Sequence, residues 1–325
     1  MSEKQINVTL LAGGVGGAKM AEGLSLVPNV SLNVVANIAD DDSFHGLWVS
    51  PDVDTIIYTL SGNINASQGW GVKNDTYKSL SVLKKFKKKV WMNLGDYDFG
   101  LHIYRTDLLN KGVSLSVVTK KIAKYFKIKS NVLLPTDDCV QTKVLSDDGW
   151  LSFQEYFVRD KCSPLIRDIK FEGIEKAVPT EESLKAIYNA DILVFAPSNP
   201  IVSISPILGV KGISEAINSS KAIKIAVSPL IKGEAVKGPA KEMMNFSGFD
   251  SNAFGVAKFY SNYIDILFID NIDQSLKASI DNLGVKAICS NIIMTNQESK
   301  KHLAKQIILL SQHYRNIKKY SAENI

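Results

Sequence analysis

The chain has 325 residues, 45% hydrophobic and 22% charged, with a formal net charge of +5. That length accommodates one large α/β domain, or a core with a subdomain, and a core that needs no covalent staples. Cys139, Cys162 and Cys289 are odd in number, far apart and without a C-x-x-C or nearby histidine, which argues against a disulfide framework or zinc site.

The positive charge comes largely from scattered lysine. Its densest cluster, KKFKKK at residues 84–89, reads as a solvated helix end that complements the helix dipole. No basic stripe interleaved with aromatics suggests nucleic acid. The first residues lack a signal-peptide core, and no apolar run reaches membrane-spanning length, so a soluble, cytoplasmic protein is expected.

In chain order, residues 6–12 read as a buried strand that breaks into Gly13, Gly14, Gly16 and Gly17. Such glycines let backbone N–H groups approach an anion, with a helix over residues 18–26 presenting its positive end. The motif is neither a P-loop nor a full dinucleotide fingerprint, because Ala18, Lys19 and Met20 break both patterns. Residues 32–38 read as a second, parallel strand that ends in Asp40, Asp41 and Asp42. PDVDTIIYTLSG from Pro51 has proline at a good first helical position, Asp52 and Asp54 in the first turn, and Gly62 as a stop.

Residues 75–88 are expected to be helical, and 90–94 to form a short third strand leading into GDYDFG. Helices at 101–110 and 115–126 follow. Asp148-Gly149 between alternating apolar residues signals a hairpin, and hence a small β-containing insertion at about 130–178. The α/β rhythm resumes with a helix at 181–190, a strand at 191–196 ending in PSNP, and a strand at 223–227 ending in SPLIKG. A last strand is expected at 263–269, before an amphipathic helix over 297–314. The expected fold class is α/β: a Rossmann-like, mostly parallel sheet flanked by helices, in a single domain over 1–325 that carries the insertion.

Polar, glycine-rich or proline-rich segments thus recur where strands end, and would converge on one edge of the sheet. Adjacent carboxylates at 40–42 could hold a hard divalent cation; alternatively, one of them could bind a ribose hydroxyl, ~20 residues beyond the glycines. Asp54, if it points into the cleft, could orient or deprotonate a hydroxyl. His45 has no partner at ligand spacing and reads as structural or substrate-lining. Ser198, Asn199 and Pro200, followed by Ser203 and Ser205, could offer donors on a loop that Pro197 and Pro200 would keep extended and stiff. Arg105 could clamp a phosphate, although a surface ion pair is its commoner role.

In order, LLAGGVGGAKMAEGL, NIADDDSFHGLWVSPDVDTIIYTLSG, GWGVKNDTY, VWMNLGDYDFGLHIYRTDLL, LPTDDCVQT, APSNPIVSISPILGV and SPLIKGEAVKGPAKEMM resemble the 2-phospho-L-lactate transferase family of coenzyme F-420 biosynthesis. These stretches span residues 10–244. The resemblance implies transfer of a 2-phospholactyl or phosphoenolpyruvyl group from a guanosine diphosphate-linked donor to the deazaflavin FO, with release of GMP and Mg²⁺ offsetting the diphosphate charge. It implies that Gly13, Gly14, Gly16, Gly17, Ser198, Asn199 and Pro200 contact nucleotide and phosphate, and that Asp40 and Asp41 ligate the metal. Asp54 then contacts FO, and Asp54→Asn should abolish transfer and leave the fold intact. Asn93 falls at another FO-contacting position, one often lysine in relatives. Tyr97 stands where GDRDLA-type relatives carry arginine, so either Arg105 takes over that role or the donor sits differently. A homodimer is compatible with the resemblance. Outside it stand an NAD(P)-dependent oxidoreductase with an irregular loop, and a noncatalytic nucleotide-binding protein.

Overall fold

An apolar run with no polar face can be buried on both sides, and residues 8–12 are buried throughout as the core of β1 (Ile6–Ala12). The computed structural model describes residues 5–322. After β1 come α1 (Gly14–Ser25), β2 (Val30–Ala36), a small hairpin of β3 (Asp42–Phe44) and β4 (Leu47–Val49), α2 (Pro51–Leu60), α3 (Lys78–Lys85), α4 (Asp96–Asn110), α5 (Leu115–Tyr125) and β5 (Asn131–Leu133). The second half holds β6 (Gln141–Ser146), β7 (Gly149–Ser152), β8 (Asp168–Glu172), α6 (Glu181–Tyr188), β9 (Ile192–Phe195), α7 (Ser205–Gly209), α8 (Ile213–Ser219) and β10 (Ile223–Val227). It closes with β11 (Leu230–Ile231), β12 (Glu234–Ala235), α9 (Ala240–Phe246), α10 (Ala253–Tyr260), β13 (Ile266–Asp270), α11 (Lys277–Asp281), β14 (Lys286–Ser290) and α12 (Gln297–Ala322).

Seven strands form one sheet in the order β14-β13-β10-β9-β1-β2-β5, and every neighbouring pair is parallel. Side chains alternate across it. Leu10, Val34, Val194 and Ile225 face α1, α2, α5 and α12, while Leu11, Val35, Phe195 and Ala226 face α8, α9 and α10. This is the expected Rossmann-like α/β architecture. From β1 the chain moves to β2 on one side, whereas β9 pairs with β1 on the other, so strand order reverses beside β1. Ligands of open α/β sheets bind outside the carboxyl ends of strands at such a switch point.

The hairpin signal at Asp148-Gly149 joins β6 and β7, and β8 completes a separate antiparallel three-stranded sheet. The insertion is narrower than expected, because β5 belongs to the main sheet. Among the described residues, no single helix is long and apolar enough to cross a membrane.

Several expectations are corrected. Residues 90–94 form no strand: Met92 and Leu94 pack with Phe44 and Val49 instead of pairing with a neighbour, and GDYD opens α4. The helix expected at 75–88 covers only Lys78–Lys85, because Asp75 is spent on the N–H groups of Tyr97 (2.9 Å) and Asp98 (3.4 Å). Asp96 returns the favour to Lys78 (3.0 Å) and Ser79 (2.9 Å), so α3 and α4 cap one another. Lysines 87–89 therefore lie beyond the helix end. The strand expected at 263–269 is β13 but not the last, since β14 follows as the sheet edge.

Candidate active site

The β1–α1 turn is built by close approach as much as by backbone freedom. α1 starts at Gly14, four residues earlier than Ala18, and Gly14 alone of the four glycines has positive φ, at +60°. A Cβ on Gly13 would stand 2.6 Å from Asp52 Oδ2 and 2.7 Å from Ser203 Cβ, and one on Gly16 would overlap the Pro197 carbonyl. Gly17 is pressed likewise between Ala12 and Ser198. These glycines let the loop after β9 lie directly on the turn.

Ser198 locks that contact. Its hydroxyl donates to the Gly13 carbonyl (2.6 Å) and accepts from the Gly13 N–H at 3.2 Å. Asn199 Oδ1 caps the following turn through the Ile201 N–H (3.0 Å), and Pro200 opens a helical turn over Pro200–Ile204. The loop is thus short and helical beyond Asn199, not extended as expected. Ser203 is buried against Gly13, while Ser205 Oγ bonds the Pro200 carbonyl.

A buried acidic set lies on the α2 side of the turn. Asp40, Asp41, Asp52 and Asp54 are each at most 6% exposed. Asn37, just after β2, bonds Asp52 and restrains Asp40: its amide donates to Asp52 Oδ2 (2.9 Å) and the Val202 carbonyl (3.3 Å), while its oxygen accepts from the Ala39 N–H (3.0 Å). Asp41 Oδ2 accepts from Ser50 Oγ (2.6 Å) and Trp48 Nε1 (3.3 Å). The other oxygens, Asp40 Oδ1 and Asp41 Oδ1, are buried without a hydrogen-bond partner.

Burial pushes both the Asp40 and Asp41 carboxyls well above the usual range; for Asp40 the charges of Asp52 and Asp41 add to it, while the hydroxyl of Ser50 and the charge of Arg105 restrain Asp41. Asp52 is pushed up to about 6 by burial, restrained by Asn37 and the Gly14 N–H. Asp42 leaves the group: it begins β3, where its carboxylate accepts from its neighbour Ser43.

Asp54 and Arg105 form a buried pair. Arg105 is 0% exposed and donates to both carboxylate oxygens of Asp54, at 3.0 Å from Nη1 to Oδ2 and through Nη2 to Oδ1. The surface ion pair given as the commoner role of Arg105 is therefore corrected to a buried one, in which Nε is left without a hydrogen-bond partner. His102, one helical turn earlier on α4, accepts from Nη1 at 3.1 Å through Nδ1, which fixes it as the neutral Nε2–H tautomer. Burial lowers its pKa to about 4, consistent with that role. Nearby, Tyr58 donates to Asp98 at 2.8 Å, and burial raises Asp98 to about 6.

Asn93 is exposed, on the segment that crosses beside the β3–β4 hairpin. Next to it opens a cleft of about 640 Å³, lined by His45, Lys88, Lys89, Trp91, Lys143 and Trp150 among others. Tyr97 is also exposed, over Phe126. Thr106 faces inward and holds the Trp48 N–H at 2.8 Å.

Asn37, Ser50, Tyr58, Asp98 and His102 escaped the sequence reading. The His102-x-x-Arg105 spacing on one helix face was the available signal for the last.

Among the described residues, no three His, Cys, Asp or Glu are arranged to hold a metal by themselves. Mg²⁺ commonly takes one or two carboxylates and completes its shell with water and substrate phosphate. The two orphaned aspartate oxygens suit that mode.

A glycine turn, a buried acidic set and a serine-locked loop meet at the switch point of a parallel sheet, which makes this edge the candidate site of an α/β protein. The model of the family described as 2-phospho-L-lactate transferase CofD matches residues 8–308. A 2-phospho-L-lactate transferase of Methanococcoides burtonii is 37% identical over 300 residues, covering 92% of this chain and 97% of its own. One from Methanocaldococcus jannaschii is 37% identical over 306 residues, at 93% and 97% coverage. A phosphoenolpyruvate transferase of Streptomyces griseus is 35% identical over 317 residues, at 95% and 100%. A crystal structure of a Bacillus halodurans protein matches with a TM-score of 0.63 at 19% identity, covering 94% of this chain and all of the other, and bears on the fold alone.

The chain belongs to the 2-phospho-L-lactate transferase CofD family. It is a transferase, and this membership replaces the oxidoreductase and noncatalytic readings.

Proposed function

We propose that the protein transfers a 2-phospholactyl or phosphoenolpyruvyl group from a guanosine diphosphate-linked donor to the terminal ribityl hydroxyl of FO. The hydroxyl oxygen attacks the distal phosphorus and gives up its proton to water, the bond from that phosphorus to the GMP oxygen breaks, and GMP leaves with the electron pair. The observation that carries this reading is the pair of orphaned buried carboxylate oxygens, Asp40 Oδ1 and Asp41 Oδ1, beside the glycine turn of a chain of this family.

Asp40 and Asp41 would hold Mg²⁺, which when bound would offset charge on the diphosphate. The β1–α1 turn and the Ser198–Asn199–Pro200 loop form one rigid wall for the nucleotide, because Ser198 fastens them together. Asp54, both of whose oxygens already accept from Arg105, is suited to orient the attacking hydroxyl by accepting its hydrogen bond. The cleft beside Asn93, lined by Trp91 and Trp150 together with lysines and the acids Asp42, Glu155 and Glu172, would take the acceptor ring.

FO is fluorescent, which makes the acceptor half directly measurable. Titration of FO with the protein and Mg²⁺ should show saturable binding, and NADH should not compete. NADH binding without any FO binding would overturn the reading.

A further inference from the structure

Beside the first turn of α1 lie two lysines, Lys19 and Lys237, with no carboxylate partner among the described residues. The segment after β12 carries Lys237 back over the start of α1. Its ammonium lies 4.2 Å from the centre of the Trp70 ring and bonds the Gln68 carbonyl. A Cβ on Gly69 would stand 2.9 Å from Val15 Cγ1 and 3.1 Å from Lys237 Nζ, so that ammonium sits above Val15 in the first turn of α1. Lys19 follows Val15 by four residues and therefore shares its helix face.

Lys19 has no carboxylate partner among the described residues, because the neighbouring acid, Glu22, is bonded to Lys300 at 2.6 Å. No acid offsets Lys237 either: burial and the charge of Lys19 both lower its pKa. Lys19 is lowered by burial and by Lys300. Lys19 and Lys237 stand near one face of the start of α1, at the rim of the glycine turn, and leave that rim short of negative charge.

Resting on the transferase reading, we propose that Lys19 and Lys237 form a cationic clamp for the diphosphate of the donor, with Trp70 bracing the Lys237 ammonium. The same turn thus has two orphaned carboxylate oxygens, at Asp40 and Asp41, and two lysines without an acid partner among the described residues in its surroundings. A metal-bound diphosphate presents a cation and uncompensated phosphate oxygens, and so matches both. The hairpin of β11 and β12 delivers Lys237 from outside the sheet, so the clamp is carried by a different segment from the wall it closes on.

The probes are GDP, inorganic pyrophosphate and guanosine, titrated with Mg²⁺ against the full chain and against Lys19→Met and Lys237→Met. These variants keep the aliphatic stem and remove the charge. Each is expected to weaken GDP and pyrophosphate about tenfold or more, with melting temperature, guanosine affinity and FO affinity unchanged. Lys237→Arg should recover most of the loss. Wild-type GDP affinity in both methionine variants would overturn the clamp while leaving the transferase reading in place. Failure of the wild-type protein to bind either GDP or FO would overturn both.

Discussion

Arg105 ties the chemistry of Asp54 to the stability of the protein. A fully buried guanidinium with two bonds to one carboxylate leaves an uncompensated charge when that carboxylate is removed, a loss of about 3–5 kcal/mol. Asp54→Asn is therefore expected to reduce turnover about 10²-fold or more and also to lower the melting temperature by several degrees. The sequence alone led to the expectation of an intact fold with lost activity, because nothing in PDVDT shows where Arg105 goes. Denaturation and steady-state kinetics on this variant check both effects. Near-wild-type turnover would remove Asp54 from the reaction, and an unchanged melting temperature would remove the buried pair as a stabilising unit. His102 belongs to the same unit, since its neutral ring accepts the Arg105 bond left over from Asp54.

At the scale of elements, the wall made by α1 and the loop after β9 depends on Gly16 having no side chain. Gly16→Ala would drive a methyl into the Pro197 carbonyl, and overpacking of this kind costs about 1–3 kcal/mol. The expected outcome is a lower melting temperature together with weakened GDP binding, because relief requires the Ser198 loop to part from the Gly13 turn. Calorimetry on the variant reads both, and unchanged GDP affinity would mean that the contact serves packing alone.

The strands were legible in the sequence because buried parallel strands are short apolar runs: residues 6–12 and 223–227 emerge with the bounds read from sequence. Residues 90–94 were misread because four or five apolar residues carry no mark of whether they will pair with a strand or pack on a hairpin, as Met92 and Leu94 do on Phe44 and Val49. KAICS at Lys286–Ser290 was missed for the converse reason: it is an edge strand, exposed at its start and only partly apolar. The reciprocal caps made by Asp75 and Asp96 shortened α3 through bonds spanning 17 to 23 residues that local capping rules do not contain.

Over the whole molecule, the parallel sheet supplies the site through topology. Strand order reverses beside β1, so the glycine turn, the aspartates after β2 and the serine loop after β9 meet at one edge, although they come from residues 13–54 and 198–203. The convergence could be read from sequence because each segment follows an apolar run. The return of Lys237 to the first turn of α1 could not, since Lys237 lies beyond the strand-end segment SPLIKG, after the hairpin of β11 and β12. The three-stranded sheet of β6, β7 and β8 then adds one flank of the cleft, where Trp150 stands opposite the hairpin of β3 and β4.

The central claim is the transfer itself. Mass spectrometry of the products, after incubating the protein with FO, Mg²⁺ and either a lactyl- or an enolpyruvyl-diphosphoguanosine, tests it most directly. The expected result is FO carrying the phosphoester of one of the two donors, with GMP released in equal amount and no product in the presence of EDTA. Unmodified FO with both donors, from protein that is folded and supplied with Mg²⁺, would contradict it.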